Sequence, residues 1–516
     1  MRIGSNCTWC LLAVAVALAG CGPSPRLSNP NGAQFDQAGF SVAIEGNRAI
    51  VGVPKSDTLD SNAGKALIYT RSGNAWQLEA TIVSSSPSLN GQLGWSVDID
   101  GDRAIAGVFG DATVGAVTGA ARIFERDGGT WSEVAAVFGD TADGDGFGIS
   151  VAIDGDFAVV GAPYPAAPFF TGPGRAWVYQ RDGGSGQWQL DAELGASDSI
   201  DYIEFGVSVA IDSNVVVVGA GKGIANGVTI GGAAYVFRRQ SGGWVEEAKL
   251  TANDAAYHDF LGRSVSVAGN AVLAGAKGED TQGDAAGAAY VFLRNAGTGI
   301  WSQTQKLIAG DGASGDEFGY AVGIDGPRAI VGAWLADGAV GTSGAAWHFR
   351  SSLSGWQLGQ KRFMSNGEYG DGYGAAVGVS GDCAIIGVVN DDVGDQKDVG
   401  GAYIHCGLPG VVPPDFEIDI ICCVSPPDPL GPVVLTSRIT NQSESRVIGR
   451  RTIEWIAADG TVVMTSGDES VTVAPGEALE ERHILRGPEA ARVVEARLLF
   501  ADQHGVRNAS TRIGNR

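Results

Sequence analysis

The residues able to do chemistry are mostly acids, and they recur at one kind of place. Asp140, Asp143 and Asp145; Asp198, Asp201 and Glu204; and Asp311, Asp316 and Glu317 form the richest clusters. Convergent carboxylates suit a cation, which needs six or more oxygens around one ion. Acids beside glycines also suit turn formation and solubility, the plainer account of these runs. The five histidines, His258, His348, His405, His483 and His504, lack the HExxH spacing of a zinc site and have no partner cysteine pair. Gly219-Ala-Gly-Lys-Gly223 has a phosphate cradle's composition, but a loop follows it, and the helix N-terminus that would hold phosphate is missing. No Gly-x-Ser-x-Gly elbow occurs, so no set of unlike catalytic groups can be assembled and none is expected. Aromatics make the clearest break in the pattern: Tyr164, Phe169 and Phe170 fill a loop that is polar elsewhere, with Phe109 and Trp334 in equivalent loops. Two readings stand for these five: a rim that meets a protein or glycan, or rings folded inward on neighbouring loops.

The elements that would position these residues follow a repeat. A glycine followed by a small-apolar alternation returns at Gly39, Gly94, Gly148, Gly206, Gly262, Gly319 and Gly374, at intervals of 54 to 58 residues. Each copy contains four short strands. The first resembles Phe147-Gly-Ile-Ser-Val-Ala-Ile153, and a tight turn follows at Gly46, Gly101, Gly155, Gly269, Gly326 and Gly381, or at Ser213-Asn214. The second is an unbroken apolar run such as Ala158-Val-Val-Gly-Ala-Pro163, expected to be buried on both faces. The third runs from a glycine into aromatics, as in Gly232-Ala-Ala-Tyr-Val-Phe237. The fourth opens at Trp76, Trp131, Trp188, Trp244, Trp301 or Trp356 and then alternates, as a half-exposed outer strand should.

Four antiparallel strands in each of seven copies describe a seven-bladed β-propeller over residues 22–407. Phe-Gly, Val-Gly-Ala-Pro and the Trp strand make these copies resemble FG-GAP repeats, the unit of the integrin α-chain propeller and of many bacterial surface proteins. That resemblance implies calcium loops of the form DxDxDGxxD, but here the turns shrink to Asp100-Gly101-Asp102 and Asp154-Gly155-Asp156. Calcium is therefore not carried over, and no cofactor is expected. The seventh copy has no Trp strand. The stretch Pro25–Gly32 resembles the tail of one, so the N-terminal segment is expected to complete the last blade. Cys383 and Cys406 would face each other across an antiparallel pair in that blade, within disulfide reach if their Cα atoms lie within roughly 7 Å.

Residues 1–21 read as a processed leader, with Arg2, a short apolar stretch and a close at Leu18-Ala-Gly-Cys21. The close resembles the lipobox of bacterial lipoproteins. By that resemblance Cys21 becomes a lipid-bearing N-terminus, and Gly22 directs the protein to the outer membrane or cell surface. A formal charge of −23 argues against nucleic acid, which needs a basic stripe. After a Pro/Gly linker at 408–414, seven short strands over 415–516 fit a small immunoglobulin-like β-sandwich. They are read at Phe416–Ile420, Val433–Thr440, Thr452–Ala457, Thr461–Met464, Val471–Val473, Glu481–Leu485 and Arg492–Phe500. Val471-Thr-Val-Ala-Pro-Gly-Glu477 resembles a turn of bacterial adhesion modules, and Cys422-Cys423 is read as buried thiols in preference to a vicinal bridge. The function expected is non-catalytic: an envelope lipoprotein whose propeller rim binds a protein or glycan. A structural envelope subunit is the alternative, and a propeller hydrolase or lyase ranks last.

Overall fold

In the computed structural model, residues 26–27 and 29–406 are described apart from 74, 114–117, 140–143, 165–171, 199, 339–340 and 353–354, together with the strand backbones between 416 and 512. The described residues contain no helix. Seven four-stranded antiparallel sheets make the blades, and in six of them the strands follow chain order from the axis outward. Blade 3 shows the pattern with Ser150–Asp154, Phe157–Ala162, Arg175–Arg181 and Trp188–Leu194. Its second strand is buried along almost its whole length, as its sequence requires, whereas its fourth is mostly exposed, Leu190 included, and is buried only at Leu194. The turn residues Gly46, Gly101, Gly155, Ser213, Gly269, Gly326 and Gly381 all lie at φ between 51° and 57°.

The repeat's glycines act between blades as well as within them. The second-strand glycine of every blade lies against the Phe-Gly glycine of the next. A Cβ at Gly52, Gly107, Gly161, Gly219, Gly275, Gly332 or Gly387 would sit 1.9–2.1 Å from the carbonyl oxygen of Gly94, Gly148, Gly206, Gly262, Gly319, Gly374 or Gly39. Gly219, the glycine that suggested a phosphate cradle, is one of these packing positions. A parallel bridge at each junction, such as Gly174 with Phe205 and Gly400 with Ala38, links the third strand of one blade to the first of the next.

The shortened acidic turns have a structural use. Asp100 accepts from the Gly155 N–H at 2.7 Å, and Asp212 from Gly269 at 2.5 Å. Asp325 accepts from Gly381 at 2.6 Å, and Asp154 from the Ser213 N–H. One blade's carboxylate thus caps the hairpin of its neighbour.

The seventh blade is completed by the N-terminus. Arg26–Leu27 pairs antiparallel with Gly401–His405, Arg26 opposite Tyr403 and Leu27 opposite Ala402. Leu27 is buried, and Arg26 Nε donates to Asp391 Oδ2 at 2.7 Å while its Nη2 donates to the Gly400 carbonyl at 2.9 Å. Cys383 and Cys406 form a disulfide in this blade, their Cα atoms 4.0 Å apart.

The chain divides into two compact units, Met1–Phe349 with Leu358–Leu408, and Pro409–Arg516 with Arg350–Gln357. The second has a three-stranded sheet (Phe416–Val424, Val433–Asn441, Ala478–Leu485) and a four-stranded one (Val462–Val473, Val447–Ala457, Val493–Asp502, Gly505–Arg512). Seven strands were expected, but two assignments change. The segments at 461–464 and 471–473 are one strand, and Gly505–Arg512 is a strand not read in the sequence. Cys422 and Cys423 lie on the first of these strands opposite Thr436 and Leu435, and their side chains are outside the described residues.

Candidate functional site

The first strands line an axial channel, and its wide mouth is built from one repeat position. The residue after each Phe-Gly glycine points into a pocket of about 690 Å³: Phe40, Trp95, Ile149, Val207, Arg263, Tyr320 and Ala375, one from each blade. Beneath them come Ser41, Ser96, Ser150, Ser208, Ser264, Ala321 and Ala376. Four of these serines are fixed by donating to the next blade's Phe-Gly carbonyl. Ser41 donates to Gly94, Ser150 to Gly206 and Ser208 to Gly262 at 2.8 Å, and Ser96 to Gly148 at 2.9 Å.

The loops from fourth to first strand and from second to third strand meet at this mouth. They contribute Gln37 and Glu204 from the one set, and Tyr164, Trp334 and Asn390 from the other. Gln37 and Glu204 have φ of 57° and 58°, as do their counterparts Gln92, Phe260 and Glu317 within a few degrees, so the backbone bends alike in these five blades. Aromatic rings cluster in two groups: Phe40 on Trp95 with centroids 4.5 Å apart, and Tyr320 on Trp334 at 5.2 Å. Trp334 is held by its Nε1–H donating to Glu317 at 2.7 Å, and Lys277 closes that carboxylate at 2.9 Å. Lys222 does the same for Glu204 at 2.8 Å. Burial, then the Glu204 charge, pushes the Tyr164 phenol above its ordinary pKa, so it stays protonated as a donor.

Of the five aromatics singled out by sequence, Tyr164 and Trp334 line the mouth. Phe109 does not: its ring packs behind Trp95, centroids 5.0 Å apart, as support and not lining. Phe169 and Phe170 lie outside the described residues, as do Cys21, Asp140 and Asp143. Phe40, Trp95, Arg263 and Tyr320 were missed. They occupy the variable slot between two constant ones, which the repeat alignment displays. Further out on the same loops stand exposed Phe35, Leu89, Tyr202, Tyr257 and Tyr369, the last 80% accessible.

The acidic clusters serve the loops. Asp145 and Asp316 are buried and accept from the N–H groups of Phe147 at 3.0 Å and Ala313 at 2.8 Å. Asp198 takes Tyr235 O–H at 2.7 Å and Lys249, and Asp311 takes Lys361 at 2.7 Å. No group of three or more potential metal ligands occurs among the described residues. His348 and His405 occupy third strands in blades 6 and 7, away from the mouth. Burial depresses them to about 3 and about 4, and Tyr373 O–H meets His405 Nε2 at 2.7 Å.

The narrower part of the channel, about 260 Å³, holds one acid. Asp98 stands where the other blades carry Ala43, Ala152, Ala210, Ser266, Gly323 and Gly378. It accepts from Ile99 N–H at 2.9 Å and from blade 3 Ile153 N–H at 2.8 Å, and burial raises it to about 7. A carboxyl raised on folding stabilises most below its unfolded value near 4, and that contribution is lost as pH rises toward 7. The two buried histidines act oppositely, losing stability as pH falls below about 6.5. Comparing variants isolates Asp98. Asp98→Ser copies blade 5, where Ser266 Oγ accepts from Ile324 N–H at 3.1 Å. Urea unfolding should show the variant gaining about 2 kcal/mol on the native protein between pH 5 and pH 8, after discounting for channel water. An equal difference at both pH values would show that Asp98 carries no such burden.

Blades closed by glycine contact, with a pocket at the axial mouth, define a repeat β-propeller. The chain is an FG-GAP repeat protein: the model described as "FG-GAP repeat" matches residues 25–69, 131–179, 188–237, 244–292 and 301–349. No curated protein matches it in sequence. Among solved structures it is similar to a fungal alcohol oxidase in complex with copper (12% identity, TM-score 0.43, 95% of this chain and 100% of that one). It is also similar to the β-propeller domain of the Trilobed protease from Pyrococcus furiosus (11% identity, TM-score 0.33, 66% and 89%). Likenesses at this level say nothing of activity.

Proposed function

We propose that the protein is a non-catalytic, lipid-anchored protein of the cell envelope that binds a protein or glycan at the propeller mouth. The observation that carries this reading is the composition of the mouth: aromatic faces from Phe40, Trp95, Tyr164, Tyr320 and Trp334, interspersed with Gln37, Asn390, Arg263 and Glu204. Pockets of several hundred Å³ with apolar walls and a few fixed polar groups are built for ligands. The acids near it are committed to backbone N–H groups or lysines, which suits recognition better than proton transfer.

The anchor follows from the resemblance of Leu18–Cys21 to a lipobox. Cys21 stands five residues before Arg26, so the chain between a lipid and the seventh blade spans at most about 18 Å. Mass spectrometry of the mature N-terminal peptide should find Cys21 diacylated. An unmodified Cys21, or cleavage elsewhere, would remove the anchor from this reading.

Binding is tested with a double variant, Trp95→Ala with Tyr320→Ala, beside the native protein in capture from envelope extracts and on glycan arrays. Central aromatic anchors are worth about 2 kcal/mol or more each, so capture should drop by roughly 30-fold or more. Capture that survives in the variant would move the site off the mouth.

A further inference from the structure

Arg263 differs from the protein's other structural arginines. Arg48, Arg122, Arg126, Arg181 and Arg294 each lie on a carboxylate. Arg263 forms no ion pair and no side-chain hydrogen bond among the described residues. Its guanidinium lies only over the Tyr320 ring, 5.7 Å from the centroid, and lines the mouth. Both acids at the rim already have a lysine, Lys222 on Glu204 and Lys277 on Glu317. In a chain of net charge −23, the mouth thus keeps a cation without a carboxylate partner among the described residues, set in a ring position that three other blades fill with Phe40, Trp95 or Tyr320.

We propose that this pocket receives an acidic sugar, a uronate residue of a polysaccharide, with its carboxylate on Arg263; this rests on the binding reading given above. A guanidinium forks onto a carboxylate through two parallel N–H donors. The floor supplies the complement for hydroxyl groups. Ser41, Ser96 and Ser208 are half-buried there, and their hydroxyl hydrogens are committed to glycine carbonyls, so a remaining lone pair on each is left to accept from a polyol. The tilted Phe40–Trp95 and Tyr320–Trp334 ring pairs add apolar surface for the apolar side of a pyranose. A peptide's C-terminal carboxylate has the same charge but would leave that ring of acceptors unused.

The test titrates the full chain, kept in detergent, with galacturonate, glucuronate and mannuronate trisaccharides, their methyl esters, neutral maltotriose, and a tripeptide with a free C-terminus. At least one uronate should bind, with its ester and the neutral sugar weaker by roughly 10- to 100-fold, the worth of one hydrogen-bonded charge. Arg263→Gln should weaken the uronate by the same factor, leave the ester unchanged and keep the thermal midpoint, while Arg263→Lys restores part of the loss. Maltotriose binding as tightly as the acids, unaffected by Arg263→Gln, would overturn the acidic sugar and leave the binding reading intact. Arg263-dependent binding of the tripeptide alone would overturn the sugar. If no probe binds, the uronate reading falls, and the Trp95/Tyr320 capture experiment decides separately whether the mouth binds anything.

Discussion

Gly161→Ala should abolish folding or cost more than about 4 kcal/mol, whereas Gly155→Ala, six residues earlier in the same blade, should cost about 1–2 kcal/mol. Both replace a glycine with the smallest side chain, but the surroundings differ. At Gly155 the backbone has φ of +56° and nothing lies within 4 Å of a new Cβ, so the cost is that of a left-handed conformation alone. At Gly161 the Cβ would lie 2.1 Å from the Gly206 carbonyl oxygen and 2.4 Å from Ser150 Oγ. Ser150 Oγ itself donates to Gly206, so neither atom can retreat without opening the junction between blades 3 and 4. Packed interiors do not absorb an overlap of that size. Soluble yield and denaturant midpoints of the two variants decide it. Costs within 1 kcal/mol of each other would mean that the blades are not interlocked at this glycine.

The second large effect is expected at the seam. Arg26→Ala should destabilise by about 3–5 kcal/mol, because Asp391 is buried and would be left without its partner. Burial already holds the Asp391 pKa above the ordinary carboxylate range even with Arg26 beside it. Lys397→Ala provides the contrast. Its pair with Asp392 is also 2.7 Å long, but the lysine side chain is 63% exposed, and such pairs are worth about 1 kcal/mol or less. Hydrogen exchange should localise the damage, with the amides of Gly401–His405 losing protection first in Arg26→Ala. Protection lost evenly across all blades would mean that the seam is no weaker than the rest.

The fold was legible because FG-GAP glycines sit where backbones touch, and such positions tolerate nothing else. Gly39 through Gly374 and Gly52 through Gly387 repeat for one physical reason, the contact between blades. The completion of blade 7 by Arg26–Leu27 was legible for a similar reason: the seventh copy lacked an outer strand and a spare one stood at the other end. The site was less legible. The aromatic loops stand out in the sequence, and of their rings Tyr164 and Trp334 are at the mouth and Phe109 is behind it. The main lining sits on strands, in the slot after the Phe-Gly glycine, where Phe40, Trp95, Arg263 and Tyr320 look like ordinary variation within a repeat. Asp98 was hidden likewise, one acid in a column of alanine, serine and glycine. In the second unit, the polar run Ser466-Gly-Asp-Glu469 lies between the two segments read as separate strands, yet it continues a single strand. Local propensity there yields to pairing along the sheet.

The seam also sets an order of events. The two halves of the seventh blade come from opposite ends of the propeller's sequence, and Arg26 and Asp391 are 365 residues apart. During synthesis Arg26–Leu27 leaves the ribosome before the blades and can pair only after Gly401–His405 has followed. Blades 1 to 6 can therefore form from neighbouring segments as they emerge, each with low contact order, while closure of the ring is the last step and the one of greatest sequence separation. Until then the curved stack has two raw ends: the first strand of blade 1 and the unfinished blade 7. A truncated or stalled chain would expose both edges, and joining another such chain edge to edge would satisfy them as well as closure does. Seven blades in one chain make closure intramolecular. The completed ring is then held as a whole, and unfolding is expected to begin at the two-residue latch.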